Sequence, residues 1–338
     1  MLVVVALLAA ALIPGSHSGG NGPVARRTVV SAELTANPLH RQSKVFDSRI
    51  AASKYGTQVA QRENGSDANG PISDLTPLRP RQFTRPENEY RHYAERWAVR
   101  LGHDVIPLTA ALRAGDRARA KRDWLTAFSD YLHLGAVYGL LPRNLDDELA
   151  RVPSSTSDTD FPGLHRIEKG LWTGEPLSHL VGVATALSDT VVRLRHRLPT
   201  VKFDPLDFVA RGHEILEDAQ RDLMSGAQVP WSGAGVLGTA AGLVATEKVV
   251  HTLTPLLNGR ANTLGKVQVW LIRVRHVLAG VRRPDGTYPS LGQLSSAQRE
   301  RINGVVAGAL SALEELPGTL EAAETPDIPP IPVHGKAR

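Results

Sequence analysis

His165 and Glu168 stand three residues apart in the stretch Phe161-Pro162-Gly163-Leu164-His165-Arg166-Ile167-Glu168-Lys169-Gly170-Leu171-Trp172. On a helix, that spacing sets an imidazole and a carboxylate on one face. A nitrogen and an oxygen donor together suit borderline and hard divalent ions, and helix bundles commonly build such sites in their cores. Ile167, Leu171 and Trp172 would pack the pair inward and restrict its rotamers. The bland alternative is a partly buried hydrogen bond on a helix face, which a bare H-x-x-E also fits. Hydrolysis with Glu168 as general base is disfavoured, because a zincin needs H-E-x-x-H on one helix and the chain has no such string.

A second pattern is rejected. Gly233-Ala234-Gly235-Val236-Leu237-Gly238 fits G-x-G-x-x-G, but that fingerprint binds a dinucleotide only between a strand and a helix. Gln228-Val229-Pro230-Trp231-Ser232 precedes it, no strand is evident and no parallel sheet follows, so no nucleotide is expected. Composition narrows the chemistry further. The 338 residues contain no cysteine, which excludes disulfides, Cys-ligated zinc, iron–sulfur clusters, thiol catalysis and a lipid-anchored cysteine. The net charge of +5 is small and the charges alternate in sign, so no nucleic-acid partner is expected.

The elements that must position the pair are helices. Tyr90, Ala94, Trp97, Leu101, Val105, Leu108 and Leu112 recur every three or four residues, with Pro107 expected to kink that helix. Gly115-Asp116 supplies a stop and a new cap, and a second helix is predicted over 117–140. Leu177 to Leu198 carries an unbroken 3-4 seam, Asp204-Pro205 opens another helix running to Met224, and weaker patterns follow over 236–253, 264–278 and 302–316. No stretch alternates with period two. The fold class is therefore all-α: seven or eight antiparallel helices in two packed four-helix bundles, about 87–199 and 200–320, behind a disordered N-terminal segment. Leu2 to Ile13 is too short to span a membrane but has the length of a signal-peptide core, so residues 1–20 are read as a signal peptide or apolar N-terminus and export is expected. The Pro/Gly/Arg-rich residues 21–86 read as linker and 321–338 as a loose tail.

The longer string changes the weight of the pair. Gly163-Leu164-His165-Arg166-Ile167-Glu168-Lys169-Gly170-Leu171-Trp172 closely resembles the G-x-H-R-I-E-K-x-L-W signature of the imelysin-like EfeO/EfeM family, extracytoplasmic components of bacterial iron-uptake systems. Ala114-Gly115-Asp116, followed by Ala118, Ala120 and Lys121, is similar to the family's early Ala-Gly-Asp turn and Ala/Lys-rich helix. The resemblance covers about 87–320. It implies two four-helix bundles and an iron or zinc ion, divalent or trivalent, on His165 and Glu168. An iron permease and a secreted haem peroxidase are the implied system partners. The resemblance also implies a binding protein rather than an enzyme, placed outside the cytoplasm and peripheral to the membrane.

The chain departs from the family at other ligand positions. Asp130-Tyr131-Leu132-His133-Leu134-Gly135-Ala136 stands where the family carries a His-Tyr-x-x-Ile-Glu-Pro type string, so its expected acids fall on Leu132 and Gly135. Asp130 or His133 would have to substitute. An expected Asp falls on Thr190, with Asp189 beside it, and Trp231-Ser232-Gly233-Ala234-Gly235 replaces a polar His/Asp-containing segment. The candidate metal ligands are thus His165, Glu168, Asp130 and Asp189. Asp158, Asp160, Glu175, Glu214, Glu217, Asp218 and His213 read as caps or solvated helix faces. The alternative function is a degenerate paralogue: an interaction or polymer-binding helical protein with weak or no metal binding.

Overall fold

A computed structural model of the protein describes residues 78–320, apart from 156 and 159. The signal peptide, most of the linker and the tail expected from the sequence lie outside the described residues. Within them the chain forms helices and no β-strand. Helix α1 (Thr84–Arg113) runs through Pro107 without ending. It begins three residues earlier than the periodicity indicates, and Phe83 just before it is already fully buried. Asp116 then accepts a hydrogen bond from the Arg119 amide at 2.9 Å and caps α2 (Arg117–Leu132).

Helix α2 stops well short of the predicted residue 140. Two buried tyrosines take over the backbone groups released there: the Tyr90 hydroxyl donates to the His133 carbonyl at 3.2 Å and accepts from the Ala136 amide at 3.1 Å. The Tyr138 hydroxyl donates to the Tyr131 carbonyl at 2.6 Å. A single 3-10 turn (Gly135–Val137) follows, with Gly135 set so close to Ile215 that a Cβ would lie 2.8 Å from its side chain. Tertiary partners, rather than local sequence, end this helix.

The short α3 (Arg143–Ala150) leads to α4 (Gly163–Thr173) and α5 (Leu177–Arg197). Helices α1, α2, α4 and α5 pack as a ring: α1 against α2, α2 against α4, α4 against α5, and α5 back against α1. A second ring is built the same way. Asp204 caps α6 (Pro205–Asp218) through the amides of Leu206 and Asp207, with Pro205 at the first helical position. One π turn (Ala219–Leu223) extends α6, and α7 (Gly235–Leu257), α8 (Thr263–Val281) and α9 (Ser296–Leu313) close the ring onto it. The short α10 (Glu315–Leu320) packs beside α6, α8 and α9. Two antiparallel four-helix bundles result, as expected from the sequence pattern.

The bundles meet along α7, which packs on α1 and α2 as well as on its own ring. Its buried positions therefore lie all round the helix, from Val236 and Leu243 to Val249 and Leu253. The glycines of the G-x-G-x-x-G pattern serve this packing. A Cβ at Gly235 would lie 2.2 Å from the Leu223 carbonyl oxygen, and one at Gly238 would crowd the side chains of Leu223 and Leu132.

Candidate metal centre

The motif helix is held at both ends before its side chains are considered. At the start, Gly163 adopts φ +77, and the indole Nε1 of Trp124 on α2 donates to the Leu164 carbonyl at 2.8 Å. At the finish, Gly174 takes the left-handed cap conformation, and the Arg117 guanidinium donates to the carbonyls of Gly170, Leu171 and Glu175. Gly170 lets α5 approach, because a Cβ there would stand 2.5 Å from Leu180 Cδ2. The outward-facing cations of the motif are engaged elsewhere. Arg166 forms a two-pronged pair with Glu175 at 2.8 and 2.7 Å, and Lys169 donates to the Asp158 carbonyl.

His165 and Glu168 face the interior, and both are 0% exposed. The imidazole Nδ1 lies 3.1 Å from Glu168 Oε2. The edge of the Phe128 ring packs on the imidazole at a centroid distance of 5.7 Å. Glu168 Oε1 is met from the other bundle: it accepts from the Ser232 amide at 2.9 Å and from the Ser232 hydroxyl at 2.7 Å. Trp231, next to that serine, stacks on Phe161 at 6.1 Å with the rings 13° apart, and the Lys169 ammonium sits over both rings. His165 Nε2 is buried without a hydrogen-bond partner. A carboxylate fully out of water is thus held by an imidazole and a serine, with no lysine or arginine on it among the described residues.

The other two candidate ligands are not brought to this pair. Asp130 is buried near the end of α2, where it shares a hydrogen bond with Asp104 and lies 3.4 Å from Arg100. Burial, reinforced by Asp104, pushes its carboxyl up to about 8. Asp189 is exposed on α5, while its neighbour Thr190 turns inward to bond Glu148. His133 does not substitute either. It lies flat on Trp97 with ring centroids 3.5 Å apart and bonds the Ser129 carbonyl through Nδ1, and burial lowers it to about 4. Leu132 and Gly135, where the family's acids would fall, are buried in apolar packing. Among the described residues, no group of three or more His, Cys, Asp or Glu side chains gathers where it could hold a metal ion.

Two of the acids read as solvated are in fact buried. Glu214 pairs with Arg211 at 2.6 Å and is raised to about 7 by burial, and Asp218 pairs with Arg221 at 2.9 Å and is pushed by burial well above the usual carboxylate range. They sit where α6 faces the bundle interface, so each needed a cation on its own helix. Ser232 is the site residue that the sequence reading missed. Its segment was singled out, but as a loss of family ligands rather than as a hydrogen-bond donor to Glu168.

The class is therefore a double four-helix-bundle protein with a desolvated His–Glu pair at the bundle junction. The chain is similar to the iron uptake system component EfeO of Escherichia coli (strain K12), of Escherichia coli O1:K1 / APEC and of Shigella flexneri, each 26% identical over 236 residues. The match covers 68% of this chain and 62% of each relative, so the chain spans less than two thirds of the proteins it matches. No family model matches the chain.

Proposed function

We propose that the protein binds a metal cation, iron in the first instance and zinc as a close substitute, at His165 and Glu168, as cargo in an iron-uptake-related role. The observation that carries this reading is the buried carboxylate of Glu168, which among the described residues has no lysine or arginine partner and lies against an imidazole with one bare nitrogen. Buried carboxylates are ordinarily paired with a cation or placed on a metal. Similarity to EfeO supports iron as the cargo. Two donors hold an ion weakly, which suits a carrier that must release it, with the remaining positions filled by water or a small chelator. Binding rather than catalysis is proposed, outside the cytoplasm and peripheral to the membrane, with an iron permease and a secreted haem peroxidase as system partners. Among the described residues, no helix is long and apolar enough to cross a membrane.

A second reading is favoured by one observation: Leu132 and Gly135, buried in apolar packing, stand where the resemblance places further acidic ligands. On that reading the His–Glu pair is a structural hydrogen bond, and the protein is an interaction or polymer-binding bundle. Calorimetric titration with Fe(II), Fe(III) and Zn(II) separates the two. The expected result is micromolar or tighter binding by the wild type and none by His165→Ala. Absence of heat in the wild type, or an unchanged titration of the variant, leaves the second reading standing.

A further inference from the structure

We propose that the groove between α8 and α9 is the seat of this chain's own acidic, Pro-rich residues 321–333, which lie along it as a strap with Asp327 at Arg273 and the flanking prolines on Trp270. The inference does not depend on the metal-binding reading. The groove encloses about 630 Å³. Trp270 stands at its centre, and Gly308 lets the ring lie against α9, since a Cβ there would be 2.3 Å from Cζ3. Gly265, Ala312 and Val269, the last 48% exposed, continue the lining. Lys266 is paired with Glu315 at 2.9 Å. Two turns further along α8, Arg273 stacks on Trp270 at 4.4 Å, carried by the indole rather than by a carboxylate among the described residues. Two cations and one carboxylate leave the groove net positive.

The place where the chain leaves α10 selects the occupant. The hydroxyls of Thr319 and Thr263 share a hydrogen bond at 2.7 Å, and Arg260 donates to the Thr319 and Leu320 carbonyls at 3.0 and 3.4 Å. Leu320 therefore stands beside the first turn of α8, at the end of the groove lined by Asn262 and Gly265. From Asn262 to Arg273 the helix rises about 16 Å. The seven residues from Leu320 to Asp327 span about 22 Å when extended, enough to reach Arg273. They carry Glu321, Glu324 and Asp327 and no base, opposite in sign to the groove. Pro326, Pro329 and Pro330 flank Asp327, and Pro-rich segments dock aromatic-lined grooves because their extended form is nearly preformed. A tether this short supplies an effective concentration in the millimolar range, so even a weak contact is filled by the chain itself.

The full chain has no cysteine, so His334→Cys carries a single nitroxide label just beyond the strap. In the nitrogen-15-labelled protein, the nitroxide should erase the Trp270 indole signal, spare those of Trp97, Trp124 and Trp172, and act equally after dilution. Arg273→Glu should restore the Trp270 signal, with the other indole signals reporting that the fold is kept. Reversing the tail as well, through Glu321→Lys, Glu324→Lys and Asp327→Lys, should erase it again. An unaffected Trp270 signal, or a loss that Arg273→Glu does not relieve, would overturn the proposal. Loss of the signal in nitrogen-15 chains that lack nitroxide, when these are mixed with nitroxide-bearing chains, would assign the groove to a second copy and overturn it as well.

Discussion

Gly163 passes so close to Leu149 that a Cβ on it would lie 2.2 Å from the Leu149 carbonyl oxygen, at a backbone φ of +77. The clash is with main chain, which cannot swing aside as a side-chain end can. Gly163→Ala should therefore destabilise the fold by about 2–4 kcal/mol, combining backbone strain with overpacking. Urea unfolding would register it as a lower midpoint at unchanged slope. A midpoint equal to that of the wild type would refute the geometry of the motif helix's first turn.

Arg117 holds the opposite end of that helix through three carbonyls. Arg117→Met keeps much of the aliphatic stem but removes every donor, and should cost about 1–3 kcal/mol. Arg117→Lys should recover only part of the loss, since one ammonium cannot reproduce the planar fork. Thermal melts of the two variants side by side would separate charge from geometry.

Tyr90→Phe removes one oxygen and leaves the buried Ala136 amide and His133 carbonyl without that partner. The expected cost is about 1–3 kcal/mol, more than a surface hydroxyl would show. Hydrogen exchange at Ala136 should accelerate in the variant, and unchanged protection there would contradict the bridging role of Tyr90.

The pH response has two opposed parts. Asp130 is raised to about 8 by burial and its bond with Asp104, from 3.8 as a free group, so the folded chain keeps a proton that the unfolded chain gives up. Its contribution to stability is full below about pH 4 and is lost as pH rises towards about 8. Asp130→Asn should therefore gain on the wild type steadily between pH 5 and pH 8, roughly the window of that shift. His133 is lowered by burial from 6.5 to about 4 and contributes in the other sense, with stability lost as pH falls through that interval. His133→Phe should flatten the acid side of the profile. Chemical denaturation at stepped pH reads both slopes.

Much of the architecture was legible because its helices have one wet face. The seam from Leu177 to Leu194 is buried on α5 as its spacing requires, and Asp116 and Asp204 cap the helices they precede. The 3.6-residue signal faded on α7 for a physical reason: a helix buried on more than one side has no polar stripe to set the period. The end of α2 was hidden because Tyr90, more than forty residues earlier, supplies its cap. At the site, the His–Glu spacing was readable from local geometry alone. Ser232 was not, since a serine 64 residues away in a glycine-rich loop carries no sign of what it will touch. Asp130 lies apart from the His–Glu pair, where Asp104 and Arg100, one turn apart on the facing helix, engage it.

Because α7 is a wall of both rings, neither ring can be taken away without stripping cover from the other. Tyr90 touches Phe203 and Phe208, Arg91 bonds the Val201 carbonyl, and Lys248 pairs with Glu89, so the two halves are tied at several heights. Cooperativity should follow from this shared helix: calorimetry is expected to give a single transition whose van't Hoff and calorimetric enthalpies agree. A chain cut at Pro199 should yield two aggregating fragments rather than two small soluble proteins.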